Sequence, residues 1–182
     1  MKEFLKKYGY TAVKMFVYQI AFAMFGWALA TASIPTENYA LKLVTSIFSI
    51  LFYLVLVYII VWNEGARDRV SADYNKIPRR PWLGAVIGAV GSIPNIILFV
   101  LIALGHLIPS LEGFSGVCEL IALFVEGVYV GILSIQVGGN PLRTYWLSYL
   151  VIILPLIVTS FLAYFAGFHN FRIFPQEKTK KK

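Results

Sequence analysis

Five stretches of this sequence are each long enough to cross the hydrocarbon layer of a bilayer. They run over Thr11–Ser33, Ala40–Trp62, Trp82–Ile108, Phe114–Val137 and Leu142–Phe168. About 20 helical residues cover the roughly 30 Å of hydrocarbon. The chain is 59% hydrophobic and only 14% charged, whereas a soluble domain is roughly a quarter charged. A single small globule has no interior large enough for that much apolar surface. The blocks also lack the alternating segments of about ten residues that mark a membrane β-barrel. The expected fold is an all-α integral membrane protein, a bundle of four to five transmembrane helices forming one domain over residues 1–182.

The opening "MKEFLKKYGYTAVKMF" is basic and precedes an apolar stretch, as a secretory signal would. No small-residue cleavage site follows, and Trp27 lies mid-stretch, so the expectation is a retained first span. The connectors "IPTEN", "PSLEG" and "GGNPL" carry the Pro, Gly and Asn that tight turns require. The lone cysteine, Cys118, lies in an apolar block and reads as a small buried residue. His106 and His169 each lie near a block end and read as interfacial.

Orientation follows from Lys and Arg near the span ends. Lys2, Lys6 and Lys7 precede the first block, and Arg67, Arg69, Lys76, Arg79 and Arg80 follow the second. Two crossings separate the groups, so both belong on the cytoplasmic side of a multi-pass protein of the cell membrane. Five crossings would then put the basic tail, residues 169–182, outside. The expectation is that one block fails to span and both termini are cytoplasmic. The third block, interrupted by Gly84, Gly88, Gly91 and Pro94, is the first candidate, and the fifth, with Pro155, is the second.

Polar groups within apolar blocks are costly and often mark function. Glu119 and Glu126 are seven residues apart and share a helical face. With Asn95, which follows a helix break in "SIPN", they form a candidate intramembrane polar site. That site is the basis of an alternative reading as a small-solute or ion transporter or transporter subunit. Lys14 is a further intramembrane charge, near the start of the first block. "GAVIG" (Gly84 to Gly88) and "GVYVG" (Gly127 to Gly131) are GxxxG motifs, which allow close helix packing within one chain or a homodimer between two. Nothing resembles a nucleophile elbow, an HExxH or a phosphate-binding loop, so no catalytic residue, metal or cofactor is expected.

The segment 63–81 reads as a basic cytoplasmic loop. It holds five basic residues against the acids Glu64, Asp68 and Asp73, and Arg outnumbers Lys four to one. Arg grips phosphate at two points, and an aromatic such as Tyr74 stacks on bases. The net charge is +7. A basic face of this kind attracts anionic membrane lipids or a polyanion such as RNA.

A basic membrane protein of this size, with several spans and a Gly-x-Arg-Asp closing one of them, resembles the OLE-RNA-associated integral membrane proteins of Gram-positive bacteria. The matching residues are Gly65, Ala66, Arg67 and Asp68. The family pattern also has an Asp nine residues before the glycine, where this chain has Leu56. The resemblance implies a non-enzymatic protein that binds a large structured noncoding RNA and places it at the membrane. The expected RNA contacts are Arg67, Arg69, Tyr74, Lys76, Arg79, Arg80, Lys178, Lys180, Lys181 and Lys182. Gly65 is expected to turn the chain out of the second span, and Asp68 to orient Arg67 or Arg69.

Overall fold

The structure, a computed structural model, describes residues 2–33, 38–74, 78 and 80–171. Among these residues seven α-helices appear in order: α1 (Lys2–Ser33), α2 (Tyr39–Asp73), α3 (Leu83–Gly91), α4 (Ile93–Leu107), α5 (Glu112–Val125), α6 (Val130–Leu133) and α7 (Leu150–Phe168). Among the described residues the one sheet is a two-stranded hairpin, β1 (Gln136–Val137) and β2 (Asn140–Pro141). Gly138 and Gly139 join the strands with φ of +62° and +87°, the left-handed pair that a two-residue turn of this hand needs.

The packing departs from that of a soluble protein at the surface, while the interior keeps an apolar core that includes Met15, Tyr53, Val57, Ile87, Tyr129 and Leu156. Thr11, Gln19, Ser49, Asp68, Asn95 and Glu126 are buried, while Met24, Phe48, Leu51, Val55, Val100 and Val158 are exposed. In water that outer surface would be a single aggregation-prone patch; against lipid it is matched to its solvent. Among the described residues three helical stretches are long and apolar enough to cross a membrane: α1, α2, and Trp146–Phe168, which contains α7. Two bent pairs bring the total to as many as five. The described chain is predominantly helical, as an all-α fold requires, and its helices are compatible with a multi-pass membrane protein.

The two bends have different causes. Pro94 sits in the first turn of α4, where its missing N–H costs nothing, and it could not continue α3 without clashing with the carbonyl four residues back. The two helices meet at 58° across Ser92, whose hydroxyl donates to the Gly88 carbonyl at 2.8 Å. The sharper bend, 87°, falls at Glu126 between α5 and the helical turns through Leu133. Here a Cβ on Gly127 would meet the Ala23 carbonyl of α1 at 2.5 Å, so the two backbones touch. The Trp27 indole N–H donates to the Leu123 carbonyl at 3.0 Å and fixes the end of α5 against α1.

Several sequence-based boundaries move. The second block does not open into a loop after Trp62, because α2 continues to Asp73. The fourth block ends in β1 rather than in helix, and the fifth begins as 3-10 turns before α7. The more abrupt interruption lies in the fourth block, not the third. Both GxxxG motifs are covered within the chain. Gly84 and Gly88 lie against Tyr164, Ser160 and Ile157 of α7, Gly127 against α1, and Gly131 against Ser46 of α2. These glycines therefore present no open face for a second copy.

One end of the bundle gathers four helix ends. The start of α1 meets the end of α2 where Thr11 donates to Glu64 at 3.0 Å. The end of α7 joins them, with the Trp62 indole donating to the Phe171 carbonyl at 2.8 Å. The start of α3 lies on the last turns of α7 through Gly84.

Candidate functional site

The charged end is built on backbone-to-backbone contact. A Cβ on Gly65 would strike the Tyr164 carbonyl, and one on Gly167 would strike the Trp62 carbonyl, so α2 and α7 pack more closely here than side chains allow. Asp68 is one turn beyond Gly65, on the same inward face, and is only 2% exposed. Its carboxylate is fully engaged. The Tyr8 hydroxyl donates to Oδ2, the Tyr164 hydroxyl donates to the same oxygen at 2.7 Å, and Lys7 Nζ lies 2.7 Å from Oδ1. One side chain thus joins α1, α2 and α7.

This corrects two expectations. Gly65 does not turn the chain out of the second span; it lies inside a continuous helix and permits α7 to approach. Asp68 orients neither Arg67 nor Arg69, because it points into the bundle while both arginines point outward. Arg67 pairs with Glu64 instead, its Nη1 at 3.2 and 3.3 Å from the two carboxylate oxygens. Arg69 Nε lies 3.7 Å from Asp73 Oδ2. Both pairs have the spacing of helical neighbours and help to carry α2 past the apolar block. The Arg69–Asp73 pair is solvent-facing and is worth about 0–1 kcal/mol, whereas in the other pair only Arg67 is exposed and Glu64 is largely covered beside Thr11.

Arg69 and Asp73 also line a cleft of about 360 Å³ with Pro81, Phe168 and His169. Tyr74, the cap of α2, is exposed at the same end. Arg80 is exposed just before α3, and Lys2 and Lys6 are exposed on the first turns of α1. Lys76, Arg79, Lys178, Lys180, Lys181 and Lys182 lie outside the described residues. Among the described residues, the exposed cations Lys2, Lys6, Arg67 and Arg80 thus lie at the same end as the buried Asp68 cluster. Sequence reasoning missed Lys7, Tyr8 and Tyr164 as partners of Asp68. The two tyrosines lie 60 and 96 residues from it and all three partners belong to other helices, so no local pattern could pair them.

Two of the three residues of the intramembrane candidate site take separate polar partners. Asn95 exchanges hydrogen bonds with Gln19, at 3.1 and 2.9 Å, across the α1–α4 contact. Glu119 faces His106, Oε1 to Nε2 at 3.8 Å. Glu126, 1% exposed at the break after α5, has no cation beside it among the described residues. Among the described residues its Oε2 and the Tyr129 and Tyr149 hydroxyls have no hydrogen-bond partner. Lys14 pairs with neither glutamate; its ammonium lies 5.4 Å over the Tyr18 ring. Among the described residues no cluster of three or more His, Cys, Asp or Glu is placed to hold a metal ion.

Comparison with family models, with curated proteins and with solved structures yields no match to this chain.

Proposed function

We propose that this is a non-enzymatic, multi-pass protein of the cell membrane that binds a structured noncoding RNA at its charged end and tethers it to the bilayer. The observation that carries the reading is the gathering of the basic start of α1, the Arg-bearing end of α2, Arg80 and the end of α7 at one pole. The resemblance of Gly65–Asp68 to the OLE-RNA-associated proteins supports RNA as the polyanion. In this chain the Gly and Asp of that motif build the platform, and Arg67 and Arg69 are the groups that face outward.

The same geometry supports an even number of crossings, since α1 starts where α7 ends. Four crossings follow if α1, α2, the α3–α4 pair and α7 span while the α5–α6 segment, bent by 87°, enters and leaves on one side. Irregular backbone at membrane depth is tolerated where protein covers it, as α1 covers Gly127. The positive pole is then cytoplasmic, and the basic tail follows α7 to the same side.

The test is a charge-preserving double substitution, Arg67→Lys with Arg69→Lys, read by RNA co-purification from native membranes alongside cysteine-labelling topology. Orientation should be unchanged. Retention of RNA should fall by roughly ten- to a hundred-fold per lost two-point contact, worth about 1–3 kcal/mol. Binding should also weaken steeply between about 50 and about 500 mM salt, because neutralised phosphates release counterions. Full retention in the double variant, or salt-independent binding, overturns the reading.

A second reading rests on Glu126. A buried carboxyl with a free oxygen at a helix break is the arrangement a midplane transport site uses. Glu126→Gln with Glu119→Gln would abolish transport and leave RNA retention intact, which separates the two functions.

A further inference from the structure

A groove of about 280 Å³ runs between α1 and α2 on the outer surface of the bundle. Its polar end is formed by Tyr10, Thr11, Lys14, Asn63 and Glu64, and its apolar end by Leu56, Ile59 and Ile60 with Tyr18. The two charges in it are in different states. Glu64 is satisfied by Arg67 at 3.2 Å and Thr11 at 3.0 Å. Lys14 is half-buried and meets no carboxylate within ion-pair distance among the described residues; its ammonium has only the face of Tyr18. The groove therefore carries one unmet positive charge.

Its depth identifies what can meet that charge. Lys14 is two turns further along α1 than Lys7, about 10 Å toward the apolar centre. Lys7 lies in the Asp68 cluster at the charged end, so Lys14 sits near the boundary between headgroups and acyl chains. An ammonium at that level is costly unless an anion accompanies it. An RNA phosphate does not reach below the headgroups, whereas a lipid phosphate belongs there. The polar-to-apolar gradient along the groove also runs in the direction of a lipid, headgroup toward the pole and chain along α2.

We propose that this groove is a binding site for one anionic phospholipid of the cytoplasmic leaflet. Lys14 is the counter-charge of the phosphodiester, the Tyr10 and Asn63 side chains donate to its oxygens, and an acyl chain lies along Leu56, Ile59 and Ile60. At 280 Å³ the groove falls just below the roughly 300–1,000 Å³ of small-molecule pockets. That matches a headgroup with its chain left on the surface. The inference rests on the bundle spanning a bilayer and does not depend on RNA binding.

Native mass spectrometry of the full chain tests it, with the protein released from micelles containing dioleoyl phosphatidylglycerol, phosphatidylethanolamine or phosphatidylcholine. The expected result is one retained phosphatidylglycerol, held in preference to the other two. Lys14→Gln should weaken that retention about fivefold, the worth of one basic residue at an anionic surface. Lys6→Gln, which removes a charge from the exposed start of α1, should leave it unchanged, and Lys14→Arg should preserve it. Equal retention of the three lipids by the wild type overturns the proposal without any variant. So does undiminished retention in Lys14→Gln, or an equal loss in Lys6→Gln, which would mark bulk charge as the cause.

Discussion

Asp68 and Glu126 are both carboxylic side chains sealed inside the bundle, at 2% and 1% exposure, and they are held in opposite ways. Asp68 has a lysine and two phenols on its two oxygens. Glu126 has an oxygen with no partner, beside two tyrosine hydroxyls in the same condition. The position of Asp68 is determined by its own bonds, and three helices depend on them. The position of Glu126 is determined by its neighbours, since Gly127 and the Trp27–Leu123 hydrogen bond fix the break whatever residue stands there. Burial alone thus says little about a charged residue; the number of partners distinguishes a structural tie from a group left available for chemistry.

Removing the tie should give the largest effect. Asp68→Ala leaves Lys7 without its counter-charge and two buried hydroxyls without an acceptor. A cost of about 3–5 kcal/mol is expected, read as a shifted unfolding midpoint in mixed micelles together with faster hydrogen exchange in the first turns of α1. A loss under about 1 kcal/mol would mean that the ion pair contributes little and would break the contrast. Next comes Gly65→Ala, whose methyl would meet the Tyr164 carbonyl. Overpacking of this kind costs about 1–3 kcal/mol, and since the obstacle is backbone, the upper part of that range is expected. Tyr164→Phe removes a single hydrogen bond to a charged group and should cost about 1.5–3 kcal/mol in the same titration. If Tyr8→Phe is added, the two losses should not sum, because both phenols share Oδ2 of Asp68. Glu126→Gln should be the mildest, within about 1 kcal/mol of wild type, since it keeps the shape and breaks no bond seen here. A loss of several kcal/mol at Glu126 would reveal a partner beyond the described residues and erase the difference between the two sites.

Much of the bundle could be read from run length. Apolar blocks of span length announce helices, and Gly91, Ser92 and Pro94 announce the first break. The end of α2 was misread because its composition is that of a loop. Its charges nevertheless stand at helical spacing, Glu64 with Arg67 and Arg69 with Asp73, a pattern that weighs for helix. The break at Glu126 has no Pro and no local signature. It arises where α1 presses on Gly127, and the GxxxG containing that glycine could not say which helix it would meet. The interior location of Asp68 was equally hidden, since every partner belongs to another helix. Residue type showed that a carboxylate must find partners if buried, but it could not show that this one was.

The continuous run of α2 has a mechanical consequence. Its 35 residues extend about 52 Å at 1.5 Å per residue, well beyond a hydrocarbon layer of roughly 30 Å. The turns after Trp62 add about 16 Å of that length, and the Asp68 cluster braces them against α1 and α7. The arginines are therefore mounted on a stiff post rather than strung on a slack loop. On the proposed reading, whatever rests on them would be kept at a set height above the headgroups and in a set orientation, as on a spacer of fixed length.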